Sequence, residues 1–352
     1  MLNSLRIRNF KCFDDSKIDF NSLTVLAGSN AAGKSSVIQA LLFYAYAVAQ
    51  NENHIDINKI YGLDLGVAKD LLSQNRVEDN CIEITAERGN ISNSIFLKTS
   101  NKSPYVFEIS GSASHKDSLH IKYLKAERIG PRKSTQISGL PDDFGYSGEH
   151  TPSVIENADN DGVKVHEKLS DKSDNKKFSA QVERWMSAVI GKMEIDITSD
   201  YSKGFTDTRI KNPVTEQSVI PTLTGFGISY AMPIIAAGLL CSTHPDSILI
   251  VENPEAHLHP MAQSNIGKFL AILAECGVQV IVETHSEHVV DGARIQLKND
   301  DQTDMMTINF FEVQKLKIAL QPISLKANGE LAYWPKGFFD QKQTDLRELL
   351  SR

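Results

Sequence analysis

The sequence predicts an α/β fold in which buried strands carry ligand-binding loops to one edge of a largely parallel sheet. Three stretches predict it. Residues 23–27 form an apolar run that enters the glycine-rich loop Gly28-Ser29-Asn30-Ala31-Ala32-Gly33-Lys34-Ser35 and then an apolar, small-residue helix at 37–48. Residues 247–252 are an apolar run that ends on a carboxylate, Glu252. Residues 278–283 repeat that pattern before Thr284-His285-Ser286. Short continuous apolar runs read as strands buried on both faces, as parallel sheets require. Ligands collect beyond the carboxyl ends of such strands.

The loop at 28–35 fits the phosphate-binding pattern G-x-x-x-x-G-K-[ST], in the strand–loop–helix setting that the pattern needs. Gly28 and Gly33 let the backbone turn tightly enough for its N–H groups to surround phosphate oxygens. Lys34 is placed to reach the β- and γ-phosphates, Ser35 to ligate Mg²⁺, and Ser36 to add a donor. The amino end of the following helix favours the same anion. A nucleoside triphosphate with Mg²⁺ is the expected ligand.

Composition narrows the class. The chain has 352 residues, 41% of them hydrophobic, enough for one large domain or two ordinary ones. Its formal net charge of −7 gives no general attraction to nucleic acid. Cys12, Cys81, Cys241 and Cys276 are scattered, which predicts neither a zinc site nor a disulfide framework. The start, Met1-Leu2-Asn3-Ser4, is unlike a secretory signal, and the apolar run 232–241 is far shorter than the ~20 residues that cross a bilayer. A cytoplasmic protein without a membrane partner is expected.

Residues 2–10 alternate apolar and basic side chains and predict a strand. A turn is expected at Asp14-Asp15-Ser16, then a second strand at 17–20. Alternation at 81–86, 91–98, 105–109 and 119–124 predicts an antiparallel sheet. Lys122, Lys125, Arg128, Arg132 and Lys133 form a basic cluster that reads as a solvated loop or a phosphate contact. The polar stretch 134–177 predicts a mobile loop rather than packed core. A helix at 182–190 and a strand at 193–198 follow. No heptad pattern is sustained, which excludes a long coiled-coil arm.

Ahead of the second apolar run stands Thr224-Gly225-Phe226-Gly227-Ile228-Ser229, a glycine-containing loop expected to be capped by Ser229 before a helix at 230–240. Glu252 would hold Mg²⁺ through water. After it come Asn253-Pro254-Glu255-Ala256-His257-Leu258-His259-Pro260. Glu252, Glu255, His257 and His259 could alternatively make a metal site. A helix closed by Gly277 and another over 287–297 flank the third run. Strands at 306–313 and 318–325, an Asn328-Gly329 turn and a terminal helix at 344–350 complete the chain.

The hairpin Ile7-Arg8-Asn9-Phe10-Lys11-Cys12-Phe13 feeding the phosphate loop, together with Glu252–Pro260, resembles the RecF, SMC and OLD-like branch of ABC-type ATPases. The resemblance implies an ABC ATPase head. Residues 1–50 would be its amino-terminal lobe with Walker A, and 51–200 an inserted β/α region with the mobile loop at 134–177. Residues 201–300 would be the carboxy-terminal lobe, and 301–352 a small domain like one of unknown function in bacterial AAA-family ATPases. Arg8, Asn9 and Lys11 would lie beside the nucleotide base. A glutamine loop is implied, with Gln74 as a candidate. Gly225, Gly227 and Ser229 would form the signature motif, which grips the γ-phosphate held by a second copy. Glu252 would be the Walker B acid, the run to Pro260 the D-loop, and His285 the switch histidine. One departure stands out. The family places a catalytic glutamate directly after the Walker B acid, and here that position is Asn253. An amide orients water but cannot take its proton. Slow hydrolysis is therefore expected, with Glu255 as substitute base. The implied function is a homodimer, or a larger assembly, closing on Mg-ATP to switch an effector such as a nuclease or toxin, in anti-phage defence. A DNA-binding repair ATPase of RecF type and an OLD-like nuclease component are the alternatives.

Overall fold

The computed structural model describes residues 1–50, 52–74, 81–113, 117–170, 175–314 and 317–351. The chain divides into two compact units. The first comprises residues 1–121, 306–326 and 330–352, the second 122–305 and 327–329.

The first unit opens with the antiparallel hairpin β1 (Ser4–Phe10) and β2 (Phe13–Asp19). Its turn is at Lys11-Cys12, earlier than the expected Asp14–Ser16 turn. Phe10 and Phe13 are both buried, so the two rings set the ends of the strands and leave Asp14 to Ser16 inside β2. Asn9 and Lys11 take left-handed φ values of 57° and 50° to make the turn. β3 (Leu23–Gly28) is buried through Ala27 and leads to α1 (Lys34–Gln50). Next come β4 (His54–Asp56), β5 (Cys81–Arg88), β6 (Ile91–Thr99) and β7 (Val106–Gly111). With β1 and β2 they build a six-stranded antiparallel sheet in the order β2-β1-β5-β6-β7-β4. Phe43 of α1 meets Phe10 and Phe107 of this sheet edge to face, at 5.9 and 6.2 Å.

β8 (His120–Leu124) leads into the second unit. β9 (Ser134–Gln136), α2 (Thr151–Asn160) and α3 (Phe178–Val189) follow. β9 and α2 thus occupy part of the stretch 134–177, which its polarity predicts to be a mobile loop. Val154, Ile155 and Ala158 give α2 one buried stripe, too short to stand out among its polar neighbours. Residues 171–174, within the same stretch, lie outside the described residues. β10 (Glu194–Asp200), β11 (Phe205–Lys211) and β12 (Ser218–Val219) form a small antiparallel sheet in which β9 also pairs with β11. α4 (Phe226–Cys241), β13 (Ser247–Glu252), α5 (Pro260–Glu275), β14 (Gln279–Glu283) and α6 (Glu287–Asn299) carry the second half of the motifs. β13 and β14 are parallel, in register from Ile248 opposite Gln279 to Glu252 opposite Glu283, and β8 is the other neighbour of β13.

The chain returns to the first unit with β15 (Met306–Gln314), β16 (Lys317–Ser324) and α7 (Gln341–Leu350). β15 runs parallel to β3, with Met306 opposite Leu23 and Phe311 opposite Gly28. β15 and β16, from the segment 301–352 expected as a small domain, thus lie in one sheet with β3. The strands of that segment complete the sheet around the phosphate-loop strand, because β3 is apolar on both faces and needs a buried neighbour.

Candidate functional site

The phosphate loop sits between β3 and α1 in the first unit. Gly28 has φ +141°, and a Cβ there would lie 2.1 Å from the Phe311 carbonyl oxygen of β15. Gly33 has φ +97°, and its Cβ would lie 2.9 Å from Cys12 Sγ and from the Phe13 ring. Only glycine fits either position. Between them Ser29, Asn30 and Ala31 are exposed, Ala31 at φ 60°, and Ala32 is buried. The Lys34 side chain is 3% exposed, and its Nζ donates to the carbonyls of Gly28 (3.1 Å) and Ser29 (2.8 Å). Ser35 and Ser36 stand half-buried on the first turn of α1.

Of the three residues implied to lie beside a base, none is an idle solvated group. Arg8 pairs with Asp15 and Glu83, Asn9 donates to the Cys81 carbonyl, and Lys11 donates to Gln39 Oε1. Gln74 is exposed.

In the second unit, β13 and β14 end side by side. Glu252 is half-buried; its Oε1 accepts from Tyr123 Oη at 3.0 Å and its Oε2 from the Ala126 N–H at 3.2 Å. Burial raises the Glu252 carboxyl above its ordinary range, against the lowering effects of Tyr123, Ala126 and Arg128. The Tyr123 phenol is raised by burial first and by the Glu252 carboxylate second. Asn253 has φ 44°, and its N–H donates to the Glu283 carbonyl at 2.8 Å. Its Oδ1 is buried without a hydrogen-bond partner among the described residues. Glu255 spans to the neighbouring strand end, accepting from Thr284 Oγ1 and from the His285 N–H, both at 2.7 Å. The His285 side chain is exposed. Ser286 caps α6, accepting from the N–H groups of His288 and Val289, as serine before a helix does.

α4 begins four residues earlier than its expected start. Gly225 is its N-cap, with no side-chain cap, and Gly227, Ile228 and Ser229 are inside the helix. Ser229 therefore does not cap it. The Thr224 hydroxyl is spent locally on the Pro221 carbonyl. The start of α4 packs on the turn after β13. A Cβ at Gly227 would meet the His257 carbonyl at 2.9 Å, and the Phe226 and Tyr230 rings lie 5.2 and 4.5 Å from the His257 ring. Among the described residues no three His, Cys, Asp or Glu side chains gather as metal ligands, so the alternative metal set of Glu252, Glu255, His257 and His259 is not assembled. No helix among the described residues is long and apolar enough to cross a membrane.

The basic cluster at 122–133 is only in part solvated: Arg132 and Lys133 are exposed. Lys122 pairs with Asp142, and Arg128 is 2% exposed and donates to the carbonyls of Glu252 and Asn253. Tyr123 escaped notice in the sequence, where it is one aromatic in a strand.

Comparison with known proteins places this geometry. The family model described as "AAA domain, putative AbiEii toxin, Type IV TA system" matches residues 23–291. The chain belongs to this AAA-domain family. A second family, described as a protein of unknown function, matches residues 303–349. The AAA protein resembles the DNA repair protein RecN of Rickettsia typhi, at 33% identity over 32% of this chain and 23% of that protein. The DNA double-strand break repair Rad50 ATPase of Archaeoglobus fulgidus is 43% identical over 14% of this chain and 6% of its own length. An ATP/GTP phosphatase of Helicobacter pylori is 48% identical over 12% of each chain. The chain thus spans under a quarter of the length of these curated relatives. Among solved structures, an SMC head bound to the C-terminal winged helix of ScpA superposes with a TM-score of 0.57 over 92% of this chain and 98% of that one, at 13% identity. An SMC head from Pyrococcus furiosus bound to the ScpA C-terminal domain gives 0.57 over 99% of both chains, at 12% identity. The fold is that of these SMC heads.

Proposed function

We propose that this protein binds Mg-ATP, hydrolyses it slowly, and closes as a head-to-tail pair of copies that switches a partner effector. The observation that supports this best is the cradle at 28–34. Its two glycines leave no side chain where the backbone must close around a phosphate, and the Lys34 ammonium is buried against two loop carbonyls that phosphate oxygens can replace. In this reading Lys34 meets the β- and γ-phosphates and Ser35 ligates Mg²⁺. Glu252 serves the ion through water. Each of its oxygens keeps a lone pair beyond the donor from Tyr123 or Ala126, so the carboxylate fits that role. Bound Mg²⁺ supplies neutralising charge at the phosphates.

Asn253 orients the attacking water. Glu255, held against the His285 backbone, takes the proton in place of the usual glutamate. His285 meets the γ-phosphate, and the Gly225–Ser229 end of α4 offers its N–H groups to the nucleotide of the other copy. The effector is a nuclease or toxin acting in anti-phage defence, a reading supported by the toxin-system description of the family. A second reading, a DNA-bound repair ATPase, is supported by the relatives named as DNA repair proteins.

Lys34→Ala should weaken Mg-ATP binding roughly 10- to 100-fold, the worth of a hydrogen bond to a charged group. It should also abolish ATP-dependent dimers in sedimentation velocity. Binding as tight as that of the unaltered protein overturns the reading. Glu255→Gln should lower turnover by about 100-fold or more, the range of a general base, and unchanged turnover removes Glu255 from its role.

A further inference from the structure

We propose that Arg128 is a positioning residue for hydrolysis, coupling the first turn of α4 to the carboxylate end of β13. The inference rests on the ATPase reading above and assigns a residue that neither the phosphate loop nor the Walker B pattern contains. The guanidinium is 2% exposed. Its Nη1 donates to the carbonyls of Lys125 (3.1 Å) and Glu252 (2.7 Å), and its Nη2 to the carbonyl of Asn253 (2.6 Å). One rigid fork therefore holds two consecutive carbonyls where the backbone leaves the strand, with Asn253 at φ 44°. The other contact is aromatic: the guanidinium carbon lies 5.2 Å from the centre of the Tyr230 ring. Tyr230 belongs to α4, and its ring meets that of His257, which Phe226 also contacts.

Two of the segments that would act on the nucleotide in this unit, the end of β13 and the start of α4, are thus tied to Arg128. Glu252 and Asn253 hang from it by their carbonyls. Tyr123 and Ala126, in the same short segment, hold the Glu252 carboxylate. The start of α4 rests on it through Tyr230.

Packing alone does not call for an arginine here. Burial lowers its pKa to about 10, so a charged group is kept where solvation is poor. Nε is buried with no partner among the described residues. A methionine would fill similar space without a buried charge, but it would take the donor from three carbonyls. What the guanidinium adds is a planar link of fixed length between two elements. When a second copy's phosphate draws on the amino end of α4, a shift of Tyr230 is passed to the peptide carrying Glu252 and Asn253. Displacements of about 1 Å at such groups cost up to ~100-fold in rate.

The test uses the full chain and four variants: Arg128→Lys, Arg128→Met, Tyr230→Leu and the Arg128→Met/Tyr230→Leu double. Mg-ATP affinity, kcat, KM and melting temperature are measured for each. Lysine keeps the charge but not the fork, so both Arg128 variants should lose roughly 10- to 100-fold in kcat, with Mg-ATP affinity within about threefold because the phosphate loop is untouched. The double variant should be no slower than Arg128→Met, the signature of a shared path. If Arg128→Met fails to fold, Arg128→Lys and Tyr230→Leu carry the comparison. Wild-type kcat in Arg128→Lys, or losses that multiply in the double variant, overturn the proposal while leaving the ATPase reading intact. An unaltered protein that neither binds nor hydrolyses Mg-ATP overturns both.

Discussion

At the scale of single residues, the motif side chains depend on their immediate neighbours more than on their own identity. Glu252 is the clearest case. It carries the acid that the strand pattern predicts, yet burial makes its charge costly. A raised carboxyl pKa means that the folded protein holds the proton more tightly than the unfolded chain. The stability so gained is complete below the ordinary value of 4.5 and is lost as pH rises through the raised folded value. Glu252→Gln, in buffer free of nucleotide and divalent metal, should therefore melt above the unaltered protein at pH 7. The gain should shrink towards pH 4. The amide can still accept from the Ala126 N–H and donate to the Tyr123 oxygen, so the site stays satisfied. A melting difference that is constant with pH would remove burial of the charge as its cause.

At the scale of elements, caps and turns set where the chemistry is presented. β14 hands over to α6 through Thr284-His285-Ser286, and Ser286 works in three directions there. It caps two N–H groups of α6, donates its hydroxyl to Gln263 Oε1 of α5 at 2.6 Å, and donates its own backbone N–H to Thr284 Oγ1. Ser286→Ala should cost about 1 kcal/mol from the lost cap, and up to ~1 kcal/mol more from the half-buried Gln263 amide oxygen left without its donor. Urea unfolding reads the sum. The unchanged phosphate loop should keep its Mg-ATP affinity. A loss under about 0.5 kcal/mol, the floor for a helix cap, would show that water replaces the serine. α4 teaches the converse lesson: with no capping side chain at Gly225, its first N–H groups remain available to a ligand.

At the scale of the whole molecule, charge separates the two functional readings. A net charge of −7 opposes strong binding to a polyanion. The basic cluster that might have offset it is partly consumed, with Lys122 paired to Asp142 and Arg128 buried. Binding to duplex DNA should therefore be weak, and it should fade over the salt range in which a protein making 6–10 phosphate contacts loses about 10³- to 10⁵-fold. A fluorescence anisotropy titration at two salt concentrations measures it. Tight binding that persists at physiological salt would favour the DNA-repair reading over the effector switch.

The strand–loop–helix arrangement around residues 28–35 was legible in the sequence. A phosphate loop is local: two glycines, a lysine and a hydroxyl act within eight consecutive residues, and steric exclusion at Gly28 and Gly33 is written in their identity. The apolar runs before Gly28, Glu252 and Thr284 likewise announced strands, because burial on both faces leaves no alternation. What pairs with what was not legible. That β15 lies beside β3, that α2 packs where the composition is polar, and that Tyr123 and Arg128 hold Glu252 and Asn253 are contacts between residues far apart in the chain. Their strength comes from desolvation and hydrogen-bond geometry, and these exist only once the tertiary structure has brought the partners together.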